Sequence, residues 1–261
     1  MRKKILIIIL TVLVFLSGIV LGISAVYRVN EVTVNVSYVT PEARTAGEEL
    51  QAKLEEVYKE DAMFFADEEK AREVLTQYPY FQLSGFEKSY PKRLVISVVE
   101  NAEMYAVEKE AGKSYFILSS DGTVLEARDH YVNLLNGKEN ILMKGLNVEG
   151  ELGSVPAGDD CFATMLSMCQ SFSQKLDGAQ RNVKSVEVIR RTPELLFKVT
   201  MREGVAIYFN APTALTEEKV AEAVLVYQSL KQDEKLTGRI YISEKGGKVL
   251  SQYSPIDEFT N

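Results

Sequence analysis

The order of apolar and polar positions divides the chain into stretches with different periods. The first, Ile5 to Val26, is 22 residues without a charge. After it, VTVNVSY places Val32, Val34 and Val36 on one side of a half-buried strand, because side chains alternate between faces along a strand. Thr40, Pro41 and Glu42 then read as a helix start, and Leu50, Leu54 and Val57 give that helix an apolar stripe. A second start at Asp67, Glu68 and Glu69 opens a shorter helix through Ala71, Val74 and Leu75. It stops before Pro79, since the residue ahead of a proline is pushed out of the helical region. Two strands follow, Gln82 to Glu87 and Arg93 to Val99. In the second, Leu94, Ile96 and Val98 alternate with Val95, Ser97 and Val99 after a turn at Tyr90 and Pro91. Val32 to Val99 is thus predicted as β-α-α-β-β, an α+β layer.

The second half keeps switching between the two periods. Tyr115 to Leu118 and Val124 to Ala127 flank Asp121-Gly122, a strong hairpin signal. Asp160 to Leu176 is predicted as a helix with Cys161, Met165, Cys169, Phe172 and Leu176 on one face, which is core spacing rather than a methionine-rich binding stripe. Val183 to Ile189, Leu195 to Met201 and Val205 to Phe209 read as strands, with turns at Thr192-Pro193 and Glu203-Gly204. A helix from Thr216 carries Val220, Val224, Tyr227 and Leu230. Arg239 to Ser243 and Lys248 to Tyr253 close the series around Gly246-Gly247.

At ~1.5 Å per residue, a helical Ile5–Val26 spans ~33 Å, enough for a ~30 Å hydrocarbon core. Gly22, Ser24 and Ala25 offer a competing reading as a cleaved signal peptide, but such apolar cores run to only about 7–15 residues. The expectation is an uncleaved transmembrane helix at 5–26. Arg2, Lys3 and Lys4 would hold a cytoplasmic tail of residues 1–4 inside, with the rest extracytoplasmic.

Composition narrows the chemistry. Four of the 30 basic residues lie in the first 28 positions, leaving 26 basic against 37 acidic side chains beyond them. Such a surface is unsuited to nucleic acid, which is bound by neutralising phosphates. Within that acidic background Lys88, Lys92 and Arg93 form a small basic cluster, suited to a solvated turn, a partner or anionic lipid headgroups. Cys161 and Cys169 would lie ~12 Å apart along a helix, beyond the ~7 Å reach of a disulfide, so two buried thiols are expected. His130 is the single histidine and has no ligand cluster at metal spacing, and Asp159-Asp160 reads as a helix cap. Glu100 and Glu103 could pair as acid and base but have no supporting context. No catalytic set, metal site or cofactor site is predicted.

The segment MFFADEEKAREVLTQYPYFQLSGFEKSYPKRLVISVVENAEMYAV resembles the POTRA domain of the bacterial division proteins FtsQ and DivIB. It shares an aromatic and Asp before the second helix, a closing Pro, and then the run aromatic-x-Lys-x-Tyr-Pro-x-x-Leu-x-Ile-x-Val-x-Glu. KGLNVEG at Lys144 to Gly150 is similar to a loop of the same family, whereas Ser37 and Asn101 depart from its usual glycine and arginine. The resemblance implies a POTRA domain over 29–100, a mixed α/β β-domain with a mainly antiparallel sheet over 101–253, and a flexible tail over 254–261. It also implies a non-enzymatic, single-pass scaffold at the division septum. FtsL-like and FtsB/DivIC-like proteins, and other septal membrane proteins, would be its partners, with the bilayer met through residues 5–26. A strand edge at the C-terminal end would hold them. Its candidates are Tyr241, Ile242, Ser243, Val249, Leu250, Ser251 and Tyr253. The alternatives are a membrane-anchored POTRA docking or chaperone module in envelope assembly, and an extracellular hydrolase.

Overall fold

Alternating burial confirms the strand that dominates the first unit. In β3 (Arg93–Glu100), Leu94, Ile96 and Val98 are buried while Val95, Ser97 and Val99 stay half-exposed. The structure, a computed structural model, describes residues 12–15, 18, 27–38, 43–59, 61–110, 112–132, 139–191 and 194–255. The chain divides into two units, Met1–Asn101 and Ala102–Asn261.

In the first unit β1 (Glu31–Ser37) lies parallel to β3, and β2 (Phe81–Ser89) lies antiparallel to it with a bulge between Leu83 and Gly85, giving the order β1-β3-β2. Helices α1 (Ala43–Tyr58) and α2 (Glu68–Leu75) bury Leu50, Leu54, Tyr58, Ala71 and Leu75 in one cluster with Leu94, Ile96 and Val98. Asp67 caps α2 by accepting the Lys70 N–H at 3.1 Å. Asn101 closes the unit: its backbone N–H donates to Tyr80 O at 2.8 Å and its side chain to Pro79 O at 3.4 Å. The helix start expected at Thr40-Pro41-Glu42 falls outside the described residues.

The transmembrane helix expected at 5–26 requires correction. Among the described residues no helix is long and apolar enough to cross a membrane. Of that stretch only Val12–Phe15 and Gly18 are described, as helical; the rest, and the tail at 1–4, lie outside the description. The fold class is α+β with mixed sheets.

The second unit is a nine-stranded sheet in the order β12-β11-β10-β9-β8-β7-β4-β5-β6. Its strands are β4 (Glu103–Glu110), β5 (Ser114–Ser119), β6 (Val124–Arg128), β7 (Ile141–Lys144), β8 (Val183–Arg191), β9 (Glu194–Met201), β10 (Ala206–Asn210), β11 (Arg239–Lys245) and β12 (Lys248–Ser254). Neighbours run parallel at β4–β7, β7–β8 and β10–β11 and antiparallel elsewhere. Helices α3 (Cys161–Lys175), α4 (Ala179–Asn182) and α5 (Thr216–Ser229) all bury residues in one cluster with Met143, Val186, Phe197, Phe209, Ile240 and Ile242. That face is the core. The stripe Cys161, Met165, Cys169 and Phe172 lies in it, both thiols are free and buried, and burial pushes Cys169 up to about 12.

Lys219 on α5 is fully buried yet satisfied: its ammonium donates to Asn210 O at 2.8 Å and Ala211 O at 2.7 Å, tying the helix to the end of β10. A second polar tie sits at Lys144–Gly150. Asp159 accepts the N–H groups of Asn147 and Cys161 at 2.9 and 3.0 Å and the Arg190 guanidinium at 2.6 Å, while Arg190 also donates to Gly145 O. Burial opposes ionisation of Asp159, but these donors outweigh it and hold its carboxyl below the usual carboxylate range. The Glu103 carboxylate is likewise engaged, by Arg128 at 2.7 and 3.0 Å and Asn140 at 2.9 Å. The His130 ring contacts Asp129 at 2.7 Å.

Gly145 has a φ of 74°, and a Cβ there would meet Val188 O at 2.5 Å. Gly145→Ala is therefore expected to lower unfolding free energy by at least about 2 kcal/mol in urea titrations, the left-handed backbone and the carbonyl clash adding together. Asp159→Asn is expected to cost about 1.5–3 kcal/mol at pH 7, the range for hydrogen bonds to a charged group. A depressed carboxyl stabilises above its unfolded pKa and loses that stabilisation as pH falls through the folded value. The difference between wild type and Asp159→Asn should therefore shrink on acidification, measured by thermal unfolding at a series of pH values.

Candidate functional site

A strand at the end of a sheet has backbone N–H and C=O groups with no neighbour on one side, and proteins commonly block such edges. The two ends of the nine-stranded sheet differ in this respect. At β6 the segment between β7 and α3 supplies partners at the first residue: Val124 N–H donates to Ser154 O and Gly153 N–H to Val124 O, each at 2.8 Å. Arg128 at the end of β6 is held by Glu103 and by Glu126 at 2.7 Å. At β12, β11 is the neighbour on one side, and among the described residues no strand pairs on the other. The strand carries its single lysine at its first residue and is followed by Pro255, so these two common blocking devices stand only at its ends.

Register places the seven sequence candidates on two faces. Tyr241 pairs with Gln252, Ser243 with Leu250, and Ile242 with Ser251. Ile242 is fully buried in the core, so its side chain is closed to a partner. Val249 and Tyr253 are half-buried against the same core, and the Tyr253 hydroxyl donates to Glu234 O at 3.3 Å. Ser251 donates to Glu222 of α5 at 2.5 Å. Tyr241, Ser243 and Leu250 lie on the opposite face, with Leu250 49% exposed. The backbone of β11 is occupied on both sides by β10 and β12, so Tyr241 and Ser243 can contribute side chains only.

The same face also holds residues that local pattern did not single out, among them Tyr208, which is buried. Register aligns Lys198, Tyr208, Tyr241 and Gln252 across β9 to β12, with the Lys198 ammonium 5.4 Å from the centre of the Tyr208 ring. Arg239, Tyr241, Gln252 and Ser254 line a pocket of about 190 Å³. Burial raises the pKa of the Tyr241 phenol, nearby Glu194 adds to the shift, and a hydrogen bond with Asn210 opposes it. This row depends on the parallel pairing of β10 with β11, which no local pattern announces. A larger pocket, about 390 Å³, lies at the start of α3, where Asp160 and Glu194 face Arg190 and Arg191. Its mixed charges do not make an anion cradle. Among the described residues no group of three or more His, Cys, Asp or Glu could hold a metal ion.

The fold is α+β with mixed sheets, and at its β12 edge no strand pairs among the described residues. No family model matches the chain. It is 26% identical over 97 residues to the cell division protein DivIB of Clostridium tetani, a match covering 37% of this chain and 36% of that protein. The chain thus spans little more than a third of the length of the curated relative it matches. The likeness supports a distant DivIB-like relationship and a link to cell division, at a level short of family membership.

The two faces of the edge hairpin differ in what they carry structurally. Ile242→Ala is expected to cost about 2–5 kcal/mol, as for other buried aliphatic truncations. Leu250→Ala, on the open face, should stay within about 0.5 kcal/mol. Urea denaturation of both variants checks the assignment of faces.

Proposed function

We propose that the chain is a non-enzymatic division scaffold of the FtsQ/DivIB type. It holds FtsL-like and FtsB/DivIC-like proteins at the division septum by taking a strand of a partner onto β12. The observation that carries this reading is that, among the described residues, no strand pairs with the outer side of β12, whereas the β6 edge takes loop hydrogen bonds at Val124. Strand addition gives affinity through main-chain hydrogen bonds and selects the partner through pockets for alternate side chains. On the open face Tyr241, Leu250 and the Arg239–Gln252 pocket supply that selection. The likeness to DivIB supports placing this binding in cell division. In the same proposal the first unit, whose β-α-α-β-β order suits a POTRA-like module, docks other septal proteins.

Binding of the full chain to a purified FtsL–DivIC-like pair tests the reading. Tyr241→Ala and Leu250→Lys should each weaken the complex by about 1–2 kcal/mol, roughly 5- to 30-fold in Kd, while leaving the unfolding midpoint close to wild type. Unchanged affinity in both variants would remove β12 and its open face from the interface.

A further inference from the structure

The first unit carries an aromatic cluster in which Tyr27 packs against the core while Phe64 and Tyr90 stand exposed. Tyr27, Phe64 and Tyr90 meet in tilted and edge-on arrangements with ring centres 5.1, 5.9 and 6.1 Å apart, yet Phe64 is 51% and Tyr90 55% exposed. The adjacent Phe65 is 79% exposed, a high value for a phenylalanine in a folded unit. These rings come from three places: the start of the described fold, the α1–α2 loop and the β2–β3 turn. Backbone bonds fasten the three together. Met63 N–H donates to Tyr27 O at 2.7 Å, Val29 N–H to Asp61 O at 2.8 Å, and Asn30 N–H to Lys92 O at 3.0 Å.

Around the rings stand cations. Lys88 reaches Phe64 O at 3.5 Å, and Arg28 and Lys92 are exposed beside Tyr27 and Pro91. Nearby acids are largely committed elsewhere: Asp61 pairs with Lys70 at 2.6 Å, Glu31 with Arg93 at 3.3 Å, and Asp67 caps α2. Glu87 alternates to the other face of β2 from Lys88. The patch is therefore basic and aromatic on a chain of net charge −7.

We propose that this patch seats on an anionic bilayer surface, with Phe64, Phe65 and Tyr90 in the headgroup region and Arg28, Lys88 and Lys92 against the lipid phosphates. A tyrosine such as Tyr90, apolar at one end and polar at the other, collects at membrane–water interfaces, exposed phenylalanines bury at the headgroup–acyl boundary, and basic side chains there gain from anionic headgroups. The sequence supplies the second argument for lipid. The 22-residue uncharged run Ile5–Val26 immediately precedes Tyr27 in the sequence. The contact needs no spanning helix and is separate from the strand edge at β12.

The chain contains no tryptophan, so a single Phe65→Trp substitution gives a clean reporter. With the full chain, its emission should move to shorter wavelength and be quenched by brominated lipid on vesicles containing phosphatidylglycerol. Phosphatidylcholine vesicles should give a weaker response. Adding Lys88→Glu and Lys92→Glu should weaken the response roughly five-fold or more per cation changed, and high salt should do the same. A Leu225→Trp reporter on exposed α5 should stay unquenched. An unshifted Phe65→Trp signal on anionic vesicles, an equal response on neutral ones, or equal quenching at Leu225→Trp overturns the proposal. So does a shift produced by a purified protein partner and by no vesicle, which would make the patch a protein interface.

Discussion

Every interior strand of a sheet satisfies its backbone on both sides, and the strand at each end cannot. That constraint organises the second unit. Eight strand pairings propagate from β6 to β12, and the two ends receive different treatment. The loop at Gly153 and Ser154 supplies hydrogen bonds to β6, and Arg128 fixes its end through Glu103. Among the described residues no strand pairs with the outer side of β12, while the core face is held through Val249, Tyr253 and the Ser251–Glu222 bond. An edge packed on one face, with no strand beside it among the described residues, is a template for another strand.

The helices determine which side chains accompany that template. Because α3, α4 and α5 all pack on one face, Ile240 and Ile242 are drawn into the core and the alternate positions of β11 and β12 are turned away from it. Lys219 contributes to this arrangement from within. Its buried ammonium binds the carbonyls of Asn210 and Ala211, which fixes the start of α5 against the end of β10 and so the position of β11 beside it. Removing one partner of such a buried charge costs more than the bond itself, since the other polar groups are left without water or protein.

Much of this architecture was legible in local pattern. The alternation of Leu94, Ile96 and Val98, the Asp67 cap, the Asp121-Gly122 hairpin and the stripe from Cys161 to Phe172 all follow from short-range periodicity, and the structure places each as expected. What escaped was long-range. β4 and β7 were not anticipated: Ile141–Lys144 is four residues, too short to show a period, and its strand character comes from lying between β4 and β8. The same limit applied to the site. The terminal hairpin could be read, but its division into a buried face with Ile242 and an open face with Tyr241 and Leu250 depends on where α5 packs. Arg239 and Gln252 were missed because nothing in their neighbourhood marks them; they meet through register. The expected membrane-spanning helix failed differently. Hydropathy alone suggested it, and no helix among the described residues has the required length and apolarity.

Backbone hydrogen exchange across Lys248–Ser254, in the full chain alone and with an FtsL–DivIC-like pair bound, tests strand addition most directly. Amides of β12 that point away from β11 should exchange at least about ten-fold more slowly in the complex, because a new strand closes hydrogen bonds that are open without it. Binding with exchange along β12 unchanged would show that the partner is held elsewhere.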